Sequence, residues 1–497
     1  GGDYAAVGAT LPGVPGVVIG RTPSVAWGFT NAMLDDADLW VEEVDGTGTR
    51  HRVDGEWRDL EVETQEMRRR GAGPVLFRLR RTHRGPVLTD AFSGYSGPPL
   101  SLRATWHEST RDLQTFLALG RARTSEDVER AAEGYGSPAQ NLLYAGSDGI
   151  AGYRLMGRVV RRGAGDPALP RDGTTTASDW EGEVPGDVLP RFRLRADETC
   201  ATANDAHAGP EFPHYLSNLY EPSYRASRIR SLLAARDRLA PADLAAIQRD
   251  ARSLAADAFR RAVLLPHADA VRAARPAAAP ALDRLLAWNG AEEVPSVGAA
   301  LHHLVYFHLA RRAFSPHLGD VLCRRWMGLV NLMDGPLLAA FSRPDDPWVK
   351  PSVRPTLLGE AIEDAVRDLA ARGLSLDAPW GAVHRLTLRH PLSAAPVVGA
   401  AWTRGPFPCA GGPYTPLAGQ YLHDRPLDMV VGASYRQVVD LSDPEERSWM
   451  VVFGGQSGHP GSRHYDDLTA PWLEGRFLRM RLETLPERGD DLRLLPG

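Results

Sequence analysis

The chain has 497 residues, 43% of them apolar and 24% charged, with a formal net charge of −5. That is the composition of an ordinary globular enzyme, with room for one large core or two to three smaller ones. Arg is interleaved with Asp and Glu throughout, which argues against a nucleic-acid surface or a polybasic membrane patch.

No apolar run reaches the roughly 18 residues that a spanning helix needs. No basic stretch followed by an apolar one opens the chain as a signal peptide would. Three cysteines, Cys200, Cys323 and Cys409, are too few and too scattered for a disulfide framework, and they read as buried or incidental thiols.

From the N-terminus, residues 11–110 read mainly as strands and turns. The runs VAWGFTN (25–31) and DLWVEEV (38–44) are apolar or alternating and bounded by Gly, Pro and Asp. The runs DLEVETQEM (59–67) and PVLFRLRRTH (74–83) alternate at period two, as half-buried strands do. Two helices are predicted next. RDLQTFLALGRA places Leu113, Phe116, Leu117 and Leu119 on roughly one face, and SEDVERAAEGY opens on a Ser/Asp cap signal. Residues 141–157 read as a hairpin turning at Ser147-Asp148-Gly149.

Beyond residue 222 the pattern becomes helical and rich in Ala, Leu and Arg. Strand patterns return near 384–390, 429–441 and 448–454, and the Pro- and Gly-rich stretches 160–175 and 405–419 read as long surface loops. The expected organisation is therefore a β-rich core over 1–221, a helical region over 222–375, and a return to the β core over 376–497. Strands, then helices, then strands point to an α+β body rather than alternating βαβ units.

Three constellations carry chemistry. The first is Trp27-Gly28-Phe29-Thr30-Asn31 followed by Asp35-Asp36-Ala37-Asp38. Carboxylates at Asp35 and Asp38 flanking the Ala37 carbonyl on a tight turn offer the hard oxygens that calcium takes. A solvated acidic turn is the plainer alternative, because no EF-hand pattern is present. The second is TANDAHAGPEFPHY (202–215), where the Asn204 amide is a neutral donor or, alternatively, a turn asparagine. The third is Arg225 in PSYRASRI, with Arg228 a close rival and a helix-surface cation the plain reading.

Other catalytic patterns are weak. GQSGH around Ser457 lacks the last Gly of a G-x-S-x-G elbow. His302, His303 and His308 lack H-E-x-x-H spacing and read as core or surface histidines. HYDD (464–467) reads as loop packing beside Trp472, and no phosphate-binding glycine loop occurs.

The first forty-four residues, the segment 202–215, WGAVHRLTLRHPL (380–392), RGPFPCAGGPYT (404–415) and GGQSGHPGSRHYDDLTAPWLEGRFLRM (454–480) together resemble the β subunit of the penicillin acylase family. Those proteins are amide hydrolases of the N-terminal nucleophile class. The resemblance implies an α+β fold, a four-layer αββα sandwich, present here in part and with a helical excursion. It implies an N-terminal Ser nucleophile upstream of Gly1, so that the chain is expected to be a β-subunit portion lacking the attacking atom and inactive alone.

It further implies that the Asn31 N–H and the Asn204 amide form the oxyanion hole, with Arg225 near the mouth of the site. Asp35, Ala37, Asp38 and Pro167 would help to hold a structural calcium ion, whereas a further family Asp falls at or near His214. The implied partners are an α subunit and the missing β segment from one precursor, and the substrate is a small linear amide, with Val18, Ile19 and Met33 as apolar lining. The implied location is periplasmic or secreted. The rival expectation is a non-catalytic binding or scaffold protein of the same fold in which Gly1 is the true mature end.

Overall fold

The computed structural model describes residues 3–482 except 93, 109, 207, 210, 330–332 and 395–398, so the expectation placed on Gly1 lies outside the described residues. Two compact units are present. The first comprises Gly1–Ala6, Thr10–Glu198 and Ala206–Tyr220, and the second Val7–Ala9, Thr199–Asp205 and Glu221–Gly497. Helices and mostly antiparallel sheets coexist, as the α+β reading expects.

In the first unit, strands Ile19–Arg21, Val25–Asn31, Gln140–Gly146, Ala151–Met156 and Arg191–Arg193 lie side by side in that order, all antiparallel. The predicted strand at 25–31 and the hairpin turning at Ser147–Gly149 both form. The register sets Trp27 opposite Tyr144 and Asn31 opposite Gln140. Period-two alternation sends Val25 and Trp27 to one face, where they pack with Phe116, Leu119, Val128, Ala132, Leu142 and Met156. The buried Trp27 also donates its indole N–H to the Val18 carbonyl (2.7 Å), satisfying its only polar atom.

Helix Asp112–Leu119 buries Phe116 and Leu119, but Leu113 is exposed, because the buried position one turn before Leu119 belongs to Thr115. The following helix, Ser125–Ala132, is capped by Thr124 in a reciprocal box with Asp127 rather than by Ser125. Ser125 is instead held by Asp148 through its N–H (2.8 Å) and hydroxyl (2.9 Å).

The alternating runs near 59–83 do form strands: Ala72–Arg81 half-buries Val75, Phe77 and Leu79 as expected, whereas Glu61–Arg69 is exposed along its whole length. They form a two-stranded ladder with each other, and Val62, Met67 and Leu76 stay exposed. Period two reports which side chains share a face and not whether anything covers that face.

A second sheet sets Ala37–Val41 between Arg171–Asp172 and Leu100–Ala104. Just past it, Glu42 is buried and accepts from the Ser101 hydroxyl (2.5 Å) and Arg84 Nη1 (3.1 Å). Arg84 in turn donates to Asp179 (2.6 Å) and to the Gly173 and Thr175 carbonyls (2.9 and 3.0 Å), tying four segments together. Burial pushes the Glu42 carboxyl up, but hydrogen bonds from His51 and Ser101 and the Arg84 charge outweigh it and hold it below its usual range.

In the second unit, helix Ala299–Met327 is the centre of a core that includes Phe259, Leu282, Leu285, Leu304, Leu309, Phe314, Leu358 and Ile362. Its regular course breaks where Pro316 is followed by Gly319 at φ 72°. The same core takes in Trp380 and Tyr421, so the helices and the C-terminal stretch share one interior. His302 and His303 lie inside it, as core histidines. His303 Nδ1 meets the Tyr421 hydroxyl (2.7 Å) and its Nε2 faces Glu292 (3.3 Å).

The stretch 405–419 is not a surface loop: Gly411–Thr415 is buried. Its backbone is satisfied locally, with Gly411 N–H on the Glu292 carbonyl (2.7 Å), Trp380 Nε1 on the Gly411 carbonyl (2.8 Å), and Gly412 N–H on the Thr415 hydroxyl (2.9 Å). Gly and Pro marked irregular backbone here but carried no information about depth. Strand Arg404–Pro408 precedes this segment and pairs with Arg385–Leu388.

Removing Arg84 while leaving Glu42 buried tests the tie in the first unit. Arg84→Met should lower stability by about 3–5 kcal/mol at neutral pH. Glu42 is lowered in the folded state, so its contribution is present at neutral pH and lost as pH falls through its folded pKa. Urea unfolding should therefore show the gap between variant and wild type narrowing below about pH 4.

Candidate active site

Asn204 takes a left-handed backbone (φ 66°), a conformation that Asn tolerates better than most residues. Its carbonyl accepts from Glu221 N–H (3.0 Å). Shortly after, helix Tyr224–Leu233 begins and sends two arginines back onto the segment 201–205. Arg225 Nη2 donates to the Ala203 carbonyl (2.8 Å) and to Asn204 Oδ1 (2.7 Å). Arg230 pairs with Asp205 (2.7 Å), whose other oxygen accepts from Ala203 N–H (3.1 Å). Arg228 is engaged elsewhere, in a two-pronged pair with Asp250 (2.9 and 2.7 Å).

A guanidinium can only donate, so the Asn204 amide has one assignment: Oδ1 faces Arg225 and Nδ2 faces the other way. The two sequence-expected residues, Asn204 and Arg225, are thus brought into direct contact. Burial draws the Arg225 pKa down, with Glu221 and Asp205 pulling it back up.

Asn31 is the exposed last residue of its strand. Its Oδ1 accepts from Gln140 Nε2 (3.1 Å), and its carbonyl accepts from Asn141 Nδ2 (3.4 Å). The chain then turns sharply, with Ala32 N–H on the Ala139 carbonyl (3.0 Å) and Met33 at φ 53°. Met33, Val18 and Ile19 are each half-buried.

The acidic turn follows. Asp35 N–H donates to the Leu216 carbonyl (2.9 Å), and its carboxylate accepts from the Tyr215 hydroxyl (3.1 Å). Asp38 is buried at the start of strand Ala37–Val41 and accepts from Trp180 Nε1 (2.5 Å) and Arg162 Nε (2.7 Å). Arg162 Nη2 reaches the Asp35 carbonyl (2.6 Å) and lies 3.4 Å from its carboxylate. Burial raises the Asp35 carboxyl, against the pull of Arg162 and Tyr215. Ala37 stands opposite Ala104 in the ladder, and Pro167 sits in a turn closed by Asp166 Oδ1 and Ala168 N–H (2.9 Å).

As folded, this donor set does not fit a hard divalent cation, which needs six to eight oxygens aimed inward. Both carboxylates already face N–H and O–H donors and a positive guanidinium. Among the described residues, no cluster of three or more His, Cys, Asp or Glu side chains is arranged to hold a metal. His214 packs edge-on against Phe212, and the neighbouring Tyr215 supplies a donor, not a carboxylate, to Asp35.

Sequence reasoning did not find Arg162, Trp180 or Tyr215. They lie more than a hundred positions from the turn they serve, and no local pattern joins them to it. The C-terminal run is scaffold: Trp472 is buried with Nε1 on the Ala433 carbonyl (2.8 Å), and His464 pairs with Asp467 (2.7 Å). Cys200, Cys323 and Cys409 are free thiols.

If Arg225 fixes the Asn204 segment, Arg225→Met should cost about 1.5–3 kcal/mol, the worth of hydrogen bonds to a charged group. Arg225→Lys should recover only part of it, because an ammonium lacks the planar fork. Thermal unfolding of the three proteins side by side gives the order directly.

The geometry can be set beside known proteins. The chain is 28% identical to the acyl-homoserine lactone acylase QuiP of Pseudomonas aeruginosa over 96% of its own length. It is 29% identical to the penicillin acylase 2 proenzyme of Pseudomonas sp. strain SE83 over 95%. In both comparisons it spans 61% of the relative's length. Among solved structures, a thermostable penicillin G acylase from Alcaligenes faecalis superposes with a TM-score of 0.74 at 19% identity, over 100% of this chain and 93% of that one. That likeness establishes the N-terminal nucleophile hydrolase fold. The penicillin amidase family model matches residues 1–485, and the chain belongs to that family.

Proposed function

We propose that this chain forms the body of an amidohydrolase that cleaves a linear N-acyl amide into a carboxylic acid and an amine. The observation that carries the reading is the family match across residues 1–485. Two relatives named as acylases align along nearly the whole chain, which supports the same reaction class. The nucleophile is assigned to an N-terminal Ser in residues that this chain does not include, consistent with its spanning 61% of those relatives' length.

In the proposed reaction, the Ser hydroxyl attacks the amide carbon while its proton passes to the Ser α-amine. The carbonyl π electrons move to oxygen, giving a tetrahedral oxyanion. Collapse expels the amine, which takes the proton, and leaves an acyl ester that water then hydrolyses. Asn204 Nδ2 is proposed as a donor to the oxyanion. Its amide is already held by Arg225 through Oδ1, so it would need no reorganisation as charge develops. The resemblance gives the Asn31 N–H a companion role, and half-buried Val18, Ile19 and Met33 favour an apolar acyl group. An α subunit from the same precursor and a periplasmic or secreted location complete the reading.

The test uses the protein in its natural sequence context, assayed on a chromogenic phenylacetyl amide and on a long-chain N-acyl-homoserine lactone, with the released amine identified by mass. Asn204→Ala and Asn204→Gly should each lower kcat by about 10²–10³ with little change in KM. Glycine accepts the left-handed backbone freely, so agreement between the two variants separates donor loss from strain. Maturation is followed by intact mass. A fully matured variant with wild-type kcat would remove Asn204 from the reaction, and turnover by residues 1–497 alone would overturn the nucleophile assignment.

A further inference from the structure

We propose that the Arg162 guanidinium is the resident cation of the turn carrying Asp35 and Asp38, so that an internal ion cluster does here what the family resemblance assigns to calcium. Three separate segments build this cluster. Strand Val160–Arg162 pairs with Trp180–Glu183, and the register shifts between Arg161 and Arg162, so that Arg162 stands opposite Trp180. Such an irregularity re-aims side chains, and both residues meet at one oxygen of Asp38, at 2.7 and 2.5 Å. The third segment, before residue 220, places the Tyr215 hydroxyl on Asp35 and the Tyr215 ring 5.4 Å below the guanidinium.

Two nitrogens of the guanidinium are engaged on the turn. Arg162 Nε serves Asp38, and Nη2 serves the Asp35 carbonyl and faces its carboxylate. The Arg162 side chain is only 7% exposed and that of Asp38 2%, so the pairs are not weakened as surface pairs are. A second guanidinium, that of Arg171, is fixed on the carbonyls of Ser178 (2.8 Å), Gly163 (2.8 Å) and Ala164 (2.9 Å), and its charge acts on the same two carboxylates. The Asp36 carboxylate also lies within the field of Arg162. A divalent ion entering here would meet like charge and would have to displace the Arg162 and Trp180 N–H donors, which cannot ligate it.

The consequence is a turn whose stability is independent of calcium. The protein in its natural sequence context is melted in excess calcium chloride and in excess chelator, and terbium(III) is titrated with excitation of tryptophan, since Trp180 and Tyr215 would sensitise an ion bound between the aspartates. The wild-type curves should superimpose and no saturable sensitised emission should appear. Arg162→Gln should melt well below wild type. It should also become calcium-responsive, with terbium emission that a further Asp38→Asn change abolishes.

A saturable rise of the wild-type melting temperature with calcium, lost in Asp38→Asn, would overturn the assignment, as would an Arg162→Gln protein as stable as wild type. Should that variant fail to fold, Arg162→Lys keeps the charge without the fork. It should melt below wild type, and equal stability would likewise overturn the assignment. Both readouts are blind to catalysis, so failure of the amidase reading would leave them unchanged.

Discussion

A planar guanidinium set against a carboxylate or a carbonyl that has left water is the contact on which the loops of this chain depend. Lys350 is the single lysine among 57 basic residues, and the rest are arginines. The choice has a physical reason. An ammonium is a compact, strongly hydrated charge, whereas the guanidinium offers several donors in one plane and is less costly to dehydrate. Arg84 uses that plane to join Glu42, Asp179 and two carbonyls, Arg171 to gather three carbonyls, and Arg225 to pin Ala203 and Asn204. Arg84 and Arg225 thereby join segments distant in sequence, and Arg171 closes its own loop.

The same dependence explains what was legible in the sequence. Strand Val25–Asn31, the hairpin around Asp148 and the long helical stretch follow from periodicity and turn chemistry, which are local. Asn204 and Arg225 were legible as a pair because a motif carried them at fixed spacing. Their hydrogen bond, and hence the orientation of the amide, was not. The acidic turn was legible as two carboxylates needing a positive partner, and calcium was the partner the resemblance supplied. That Arg162, Trp180 and Tyr215 answer that need could not be read, since each arrives from a separate element and none is unusual where it stands. Depth was the other illegible quantity: Gly411–Thr415 has loop composition yet is buried, and Glu61–Arg69 has strand alternation yet is exposed.

Perturbed titratable groups are abundant in the second unit, and their placement separates scaffold from site. Burial lifts Glu292 to about 7 and drops His302 and His303 to about 3, so a carboxyl and two imidazoles lie together with little charge. They face one another, Tyr421 and the stacked ring of Trp380 inside the helical core. Groups closed on each other at that depth specify packing, for any proton exchanged with substrate would have to cross the core.

Asn204 is arranged in the opposite sense. It is neutral, so it carries no proton whose transfer must be timed, and its own polar needs on one side are met by Arg225. Its left-handed backbone lies in a segment strapped by two arginines from a single helix. Rigidity there comes from charge and geometry rather than from apolar packing. The oxyanion role proposed for Asn204 asks for a neutral N–H donor held in place by its neighbours, a combination that Glu292 and His303, perturbed as they are, do not offer.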